Sequence, residues 1–428
     1  RGQYETALRV YLETIQVRKL VLGCDHLDVG ATAYNTGQTY HRLGQLKNAM
    51  KYYQQFLSIG RKHLGPNHRD VAVMLKCIAQ VHHESKEFDQ AELFYRQALS
   101  TSQAALGEKH PEVASVLNKL GNLFYEKGDM DAAIEVYHQG LQMEQAILDP
   151  SHPNIIVTIT NIGQIYKRKR ELHNAIRWYK EALDLQRKYL PADHTTIPVS
   201  LSCLGLLYYQ NHDFSNALDM YQESLMIRRS NRGENSLEVA ATLNSIGLVL
   251  FKMQSFTIAL DVFMTSLKIR RSLLGWIHKD VSIILYNIAT VQLESGDEQE
   301  ALKTFDETLR IERAVLGNDQ SEIVASLRHI AKIHKSRGYL NEALAYLEEA
   351  RDMREDGMHE NNDLVLAQIL NQIGNIHLQH CETTKAMESF SRALRMFRNA
   401  GRSDTDLVVE GLDRYNLVVY HPEAAAVA

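Results

Sequence analysis

The sequence predicts an all-α fold: an α–α superhelix, a solenoid of stacked helical hairpins. Three observations predict it. The 428-residue chain repeats with a period of forty-two residues, and a fixed period of that size sets the architecture before any local motif does. Within each period, apolar residues recur twice at the i, i+3, i+4, i+7 spacing of a helix, with a break between the two runs. Columns of small residues keep the register. Gly37, Ala79, Gly121, Gly163, Gly205, Gly247, Ala289 and Ala331 recur at the period, and Gly374 follows one residue late. Twelve residues beyond each stands an alanine: Ala49, Ala91, Ala133, Ala175, Ala217, Ala259, Ala301, Ala343 and Ala386.

The third copy, His110 to Ser151, shows how the unit is built. Val113, Val116, Leu117, Leu120, Leu123 and Phe124 line one helical face. His110-Pro111-Glu112 announces its start: a capping side chain, a proline at the first helical position, and an acid at the positive end of the dipole. Gly128-Asp129 breaks the pattern. A second apolar run, Ala132, Ala133, Val136, Tyr137, Leu141 and Met143, stops before Asp149-Pro150. The small residues at 121 and 133 let the two helices approach closely, and Tyr137 is placed to fill space against the neighbouring unit. One hairpin cannot bury such faces alone, whereas stacked neighbours can.

In chain order, Gln3 to Leu22 reads as a lone second helix, which makes 1–25 a partial repeat. Nine full repeats occupy 26–404, beginning near His26, His68, His110, His152, His194, Ser236, His278, Gln320 and Asp363. A capping helix from Asp406 to Tyr420 and a short disordered tail from Pro422 fill 405–428. Three places depart from the pattern. Pro191 and Pro198 bracket the fifth joint, and Pro198 should delay that helix by about a residue. The joint from Arg354 to Asn362 carries the one-residue insertion. Arg351 stands where other repeats place a residue such as Leu309. The eighth-to-ninth contact is therefore the weakest expected point of the array, read either as surface variation or as a hinge.

Gly163, Tyr166, Ala175 and Tyr179 carry the small, tyrosine, small, aromatic pattern of the tetratricopeptide repeat, which this chain resembles. The forty-two-residue form, with joints such as LGPNHRDVA (64–72), LGEKHPEVA (106–114) and LGWIHKDVS (274–282), is similar to the repeats of kinesin light chains. The resemblance covers nearly the whole chain. It implies a solenoid of tetratricopeptide repeats whose first helices line a concave groove.

A formal charge of −5 argues against a surface built throughout for nucleic acid. No apolar run approaches the ~18 residues of a membrane-inserting span. Cys24, Cys77, Cys203 and Cys381 fall in different repeats with no C-x-x-C, which reads as free thiols in a reducing, cytoplasmic setting. The chain opens partway through a hairpin and reads as a fragment, with larger assembly left to regions outside it. The joint histidines 26, 68, 110, 152, 194 and 278 tempt as ligands. Neighbouring helices lie roughly 8–10 Å apart, however, and zinc ligands must sit within about 2.3 Å of one ion, so these residues read as caps. No phosphate loop, no G-x-S-x-G and no nucleophile beside a base is present, so no enzyme and no cofactor is expected.

What remains is surface. The first-helix positions off the apolar face, Ser115, Asn118, Lys119, Asn122 and Glu126 in the third repeat, recur as a stripe rich in amides. Its cations Arg42, Lys76, Lys119, Arg168, Lys252, Arg328 and Lys332 outnumber Glu84, Glu126 and Glu294. Amides satisfy both donors and acceptors of an extended backbone, and a positive excess favours an acidic ligand. The expected peptide groove uses Lys76, Asn118, Asn122, Asn161, Arg168, Asn244, Asn287, Arg328, Lys332 and Asn371. The expected function is a non-enzymatic, kinesin light chain-like adaptor that binds extended, mildly acidic segments of cargo or adaptor proteins. The alternative is the sensor or scaffold arm of a larger signalling protein whose nucleotide-hydrolysing switch domain lies outside this chain.

Overall fold

The computed structural model describes residues 2–316, 321–357 and 364–399, and among them every regular element is an α-helix. The expected capping helix at 405–428 and most of the 354–362 joint lie outside the described residues. The chain divides into two compact units, with the boundary between Asp213 and Phe214, inside the fifth repeat. The forty-two-residue period runs through this point without a break, so the period alone did not reveal it.

The first unit opens with α1 (Gly2–Leu22). Hairpins α2 (Leu27–Arg42) with α3 (Leu46–Leu64), α4 (Arg69–Glu84) with α5 (Phe88–Leu106), α6 (Pro111–Lys127) with α7 (Met130–Ile147), and α8 (Pro153–Arg168) with α9 (Leu172–Tyr189) follow. It ends on α10 (Ile197–Gln210). The second unit begins with α11 (Phe214–Arg232). Its hairpins are α12 (Leu237–Lys252) with α13 (Phe256–Leu274), α14 (Lys279–Glu294) with α15 (Glu298–Val315), α16 (Ser321–Ser336) with α17 (Leu340–Gly357), and α18 (Leu364–Gln379) with α19 (Thr383–Asn399). Within each unit the hairpins stack in sequence order, giving the solenoid of tetratricopeptide repeats.

The column residues explain the hairpin. All nine alanines from Ala49 to Ala386 are fully buried. In five repeats the aromatic four residues further on lies over the glycine of its own repeat: Gly37, Gly121, Gly163, Gly247 and Gly374. A Cβ at Gly121 would stand 2.8 Å from the Tyr137 ring, and one at Gly247 2.6 Å from Phe263. The ring therefore fills the hairpin as well as the stack. Five of the turns between paired helices use a non-glycine residue in the left-handed region: Lys86, Arg170, His212, Gln254 and Cys381. Such residues cost roughly 1–2 kcal/mol each, which the packed hairpins offset.

The joint histidines are caps. Nδ1 of His26, His68, His110, His152 and His278 accepts the backbone N–H two residues on, at 3.0 to 3.2 Å. At the fifth joint His194 Nδ1 still accepts the Thr196 N–H, at 3.3 Å, but the helix starts later. α10 starts three residues after His194, whereas α8 starts one residue after His152. The delay is two residues, not the one expected. In regular joints, the N–H four residues after the cap bonds to the cap carbonyl: Ala72 to His68 at 3.1 Å and Ala114 to His110 at 3.3 Å. Pro198 occupies that position, and a proline has no N–H to give.

Candidate peptide-binding surface

The first helices carry the ten residues of the expected groove, and the structure uses most of them within the stack. In the first unit, Lys76 is ion-paired with Glu112. Asn118 donates to Glu144 Oε1 at 2.8 Å and to Thr158 Oγ1 at 3.0 Å. Asn122 accepts from the Tyr137 hydroxyl, which also meets Asn161. Arg168 is exposed; its guanidinium donates to the Tyr125 carbonyl at 3.2 Å and lies 5.0 Å from the Tyr125 ring centroid. In the second unit, Asn287 donates to Asn244 Oδ1 at 2.8 Å, and Arg328 donates to Gln368 Oε1 at 3.0 Å. Lys332 is exposed and stands 3.6 Å from Glu294. The Asn371 Oδ1 is buried without a partner. Only Arg168 and Lys332 of the ten are exposed; the other eight are half-buried.

The acids of the stripe are also engaged. Glu84 meets His41 at 2.8 Å, and Glu126 meets His83 at 3.1 Å. Three cations gather at the C-terminal end of α8. There Lys167, Arg168 and Arg170 line a hollow of about 550 Å³ together with Tyr125, Gln164, Leu172 and Gln210. No acid lines this hollow. Lys169, between them, turns the other way to Asp131 and Glu171.

One set of buried and half-buried polar residues escaped the sequence reading. Arg18, Glu144, Gln186, Arg228, Arg270 and Glu312 occupy one register position, where second helices face the next first helix. Arg18 donates to Thr32 at 2.8 Å and to the Asp28 carbonyl at 2.9 Å. Arg228 repeats this on Thr242 and the Glu238 carbonyl. Glu144 accepts from Thr158 at 2.8 Å as well as from Asn118, and burial raises its carboxyl above the usual range. Burial pushes Glu312 up to about 7. The available signal was a polar residue at this position in every repeat before the ninth but the one with Gly60.

Among the described residues no group of three or more His, Cys, Asp or Glu side chains is placed to hold a metal. All four cysteines are free, and burial pushes the Cys77 thiol up to about 11. No described helix is long and apolar enough to cross a membrane.

Comparison with known families bears on the same repeats. Residues 20–153 match the MalT-like TPR region, and 156–196, 196–272 and 280–356 match tetratricopeptide repeat families. No curated protein matches the chain. Similar solved structures include a tetratricopeptide repeat protein from Parabacteroides merdae, at 19% identity and TM-score 0.48, covering 70% of this chain and 97% of that one. Another is BtubC (BKLC) from P. vanneervenii, at 18% identity and TM-score 0.45, covering 55% and 93%.

Proposed function

We propose, for a chain that belongs to the tetratricopeptide repeat proteins, a non-catalytic role as a kinesin light chain-like adaptor that binds acidic, extended segments of cargo or adaptor proteins along its first helices. The observation that supports it most is the hollow at the end of α8. Three cations, Lys167, Arg168 and Arg170, face it and no acid lines it. Charges gathered in this way attract an acidic segment and fix its register. The amides Asn118, Asn122 and Asn161 of the same unit supply secondary contacts, and Lys332 with Asn244, Asn287 and Asn371 offers a separate surface in the second unit. Lys76 and Arg328, already engaged within the stack, contribute less. The four free thiols accord with work in the cytoplasm.

A pull-down with this chain and peptide mapping of what it retains supplies the ligand for a titration. Arg168→Glu is expected to weaken binding about tenfold or more, and added salt to weaken it further, because exposed charges are screened over about 8 Å. Arg61→Glu, an exposed second-helix reversal, should leave affinity unchanged. It is a cleaner control than Arg229, which is tied to Glu234 at 2.9 Å. Equal losses at Arg61 and Arg168, or a ligand mapped to the second helices, would overturn the groove.

A further inference from the structure

The hollow at the end of α8 holds more positive charge than one carboxylate can neutralise. It lies where the last turns of α6, α8 and α10 meet the start of α9, at the turn edge of the first unit. Lys167, Arg168 and Arg170 bring three unit charges to about 550 Å³, and no acid lines the space with them. Neighbouring residues of an extended segment point to opposite faces, so the hollow meets one acidic side chain at a time. A single aspartate or glutamate supplies one negative charge and two oxygens, which leaves two of the three cations unanswered.

The donors suit a larger anion. Arg168 is held in place beforehand. One of its N–H groups goes to the Tyr125 carbonyl at 3.2 Å, and its guanidinium lies 5.0 Å from the Tyr125 ring centroid. Four N–H groups of its fork are left for a two-pronged contact. Neither Lys167 nor Arg170 has a side-chain partner among the described residues. Gln164 and Gln210, both exposed, add two amides. The positive surface is also small. Lys169 turns away to Asp131 and Glu171, at 2.8 and 3.1 Å, so acids stand beside the hollow in the same turn. A nucleic-acid strand or an anionic membrane needs cations along many charges and would run onto those acids.

We propose that this hollow takes a phosphorylated side chain of the bound segment, with Arg168 and Arg170 on the phosphate oxygens and Lys167 as the third charge. A phosphomonoester carries about −1.5 to −2 charges at pH 7 and three strong acceptor oxygens, which matches the cluster where a carboxylate does not. Arginine forks meet phosphate edges with paired hydrogen bonds. Phosphorylation of the partner then strengthens its hold on the chain. The proposal rests on the reading that this end of the first helices binds acidic segments, and it names the acid.

The probes are blocked tripeptides, Ala-X-Ala, with phosphoserine, glutamate or serine as X. Each is titrated into the whole chain by ligand-observed NMR. The phosphoserine peptide should bind saturably and about tenfold more tightly than the glutamate peptide, the worth of about one charge-assisted hydrogen bond. The serine peptide should not bind. Residue 170 sits in the left-handed region, at φ 61°, where asparagine is tolerated, so Arg170→Asn removes the charge and keeps the turn. It should cut the preference to about threefold or less, and Lys167→Gln should do the same, so the outcome does not hang on one variant. Arg61→Gln, the same change of charge on α3, should leave the preference intact. Equal affinities for phosphoserine and glutamate on the parent chain would overturn the phosphate site and leave the acidic groove standing. Absence of saturable phosphoserine binding would overturn it too, and the groove is then judged separately by Arg168→Glu against the mapped segment. A drop at Arg61→Gln equal to that at Arg170→Asn would mean that net charge, not a site, attracts the phosphate.

Discussion

Two consecutive joints of the first unit share a register and bury different things. Between α7 and α8, Glu144, Asn118 and Thr158 close a hydrogen-bonded triad. Forty-two residues on, between α9 and α10, the same positions are Gln186, Thr160 and Ser200. There Thr160 turns its hydroxyl back to the Ile156 carbonyl of its own helix at 2.7 Å, and Gln186 Oε1 is left unpaired. The hairpins on either side are alike, with Ala133 and Ala175 both fully buried. The difference teaches that the hairpin fixes the solenoid and leaves the joint free to vary. A joint can be packed shut with polar pairs or left open as a slot.

The largest expected effect breaks the closed joint. Asn118→Leu leaves Glu144 buried with Thr158 as its remaining side-chain donor, and should cost about 2–3 kcal/mol, the penalty for a buried charged group that loses a partner. Thr160→Val, the equivalent place in the open joint, removes a hydroxyl bonded only within its helix and should cost less than about 1 kcal/mol. Urea unfolding of both variants at matched slope measures the contrast. Similar midpoint shifts would mean that the two joints are energetically alike.

A smaller effect is read from pH. Burial holds the Glu144 carboxyl above its usual range, against the bonds from Thr158 and Asn118. The folded chain therefore keeps that proton to higher pH than the unfolded chain. Stability from this group is greatest below the ordinary carboxylate value of 4.5, declines as pH rises from there through the raised folded value, and is flat beyond it. Glu144→Gln should remove this decline from the difference curve. Gln186→Glu should add one that extends to higher pH, because Thr160 offers no equivalent of the Asn118 amide. Unfolding midpoints of the three chains between pH 4 and 8 give the comparison, and parallel curves would refute it.

The architecture was legible because its causes repeat. Gly121 under Tyr137, the buried Ala133 and the His110 cap are each imposed by local geometry, and each recurs at a fixed interval. The groove was less legible. Asn118 and Asn122 have the composition of a solvated stripe, yet half-burial turns them to Glu144 and Tyr137. A helical period says which side of a helix a residue is on, but not whether the next repeat already covers it. Arg168 was found because it lies in the last turn of α8, beyond most of that cover. Pro198 marked the fifth joint as irregular, and the sequence underestimated the delay of α10 by a residue.

The smallest effect on stability is also the most direct test of how the open joint arises. Pro198→Ala returns an N–H to the position where Ala72 and Ala114 bond to their cap carbonyls. α10 should then start near residue 195, as α8 starts beside His152. The new bond adds about 0.5–1.5 kcal/mol. Loss of the proline's restraint on the unfolded chain removes about 0.4–1 kcal/mol. The two nearly cancel, so the midpoint should move little while the local structure changes. Hydrogen exchange should show a protected amide at 198. If the amide at 198 exchanges freely, the proline is not what holds the joint open.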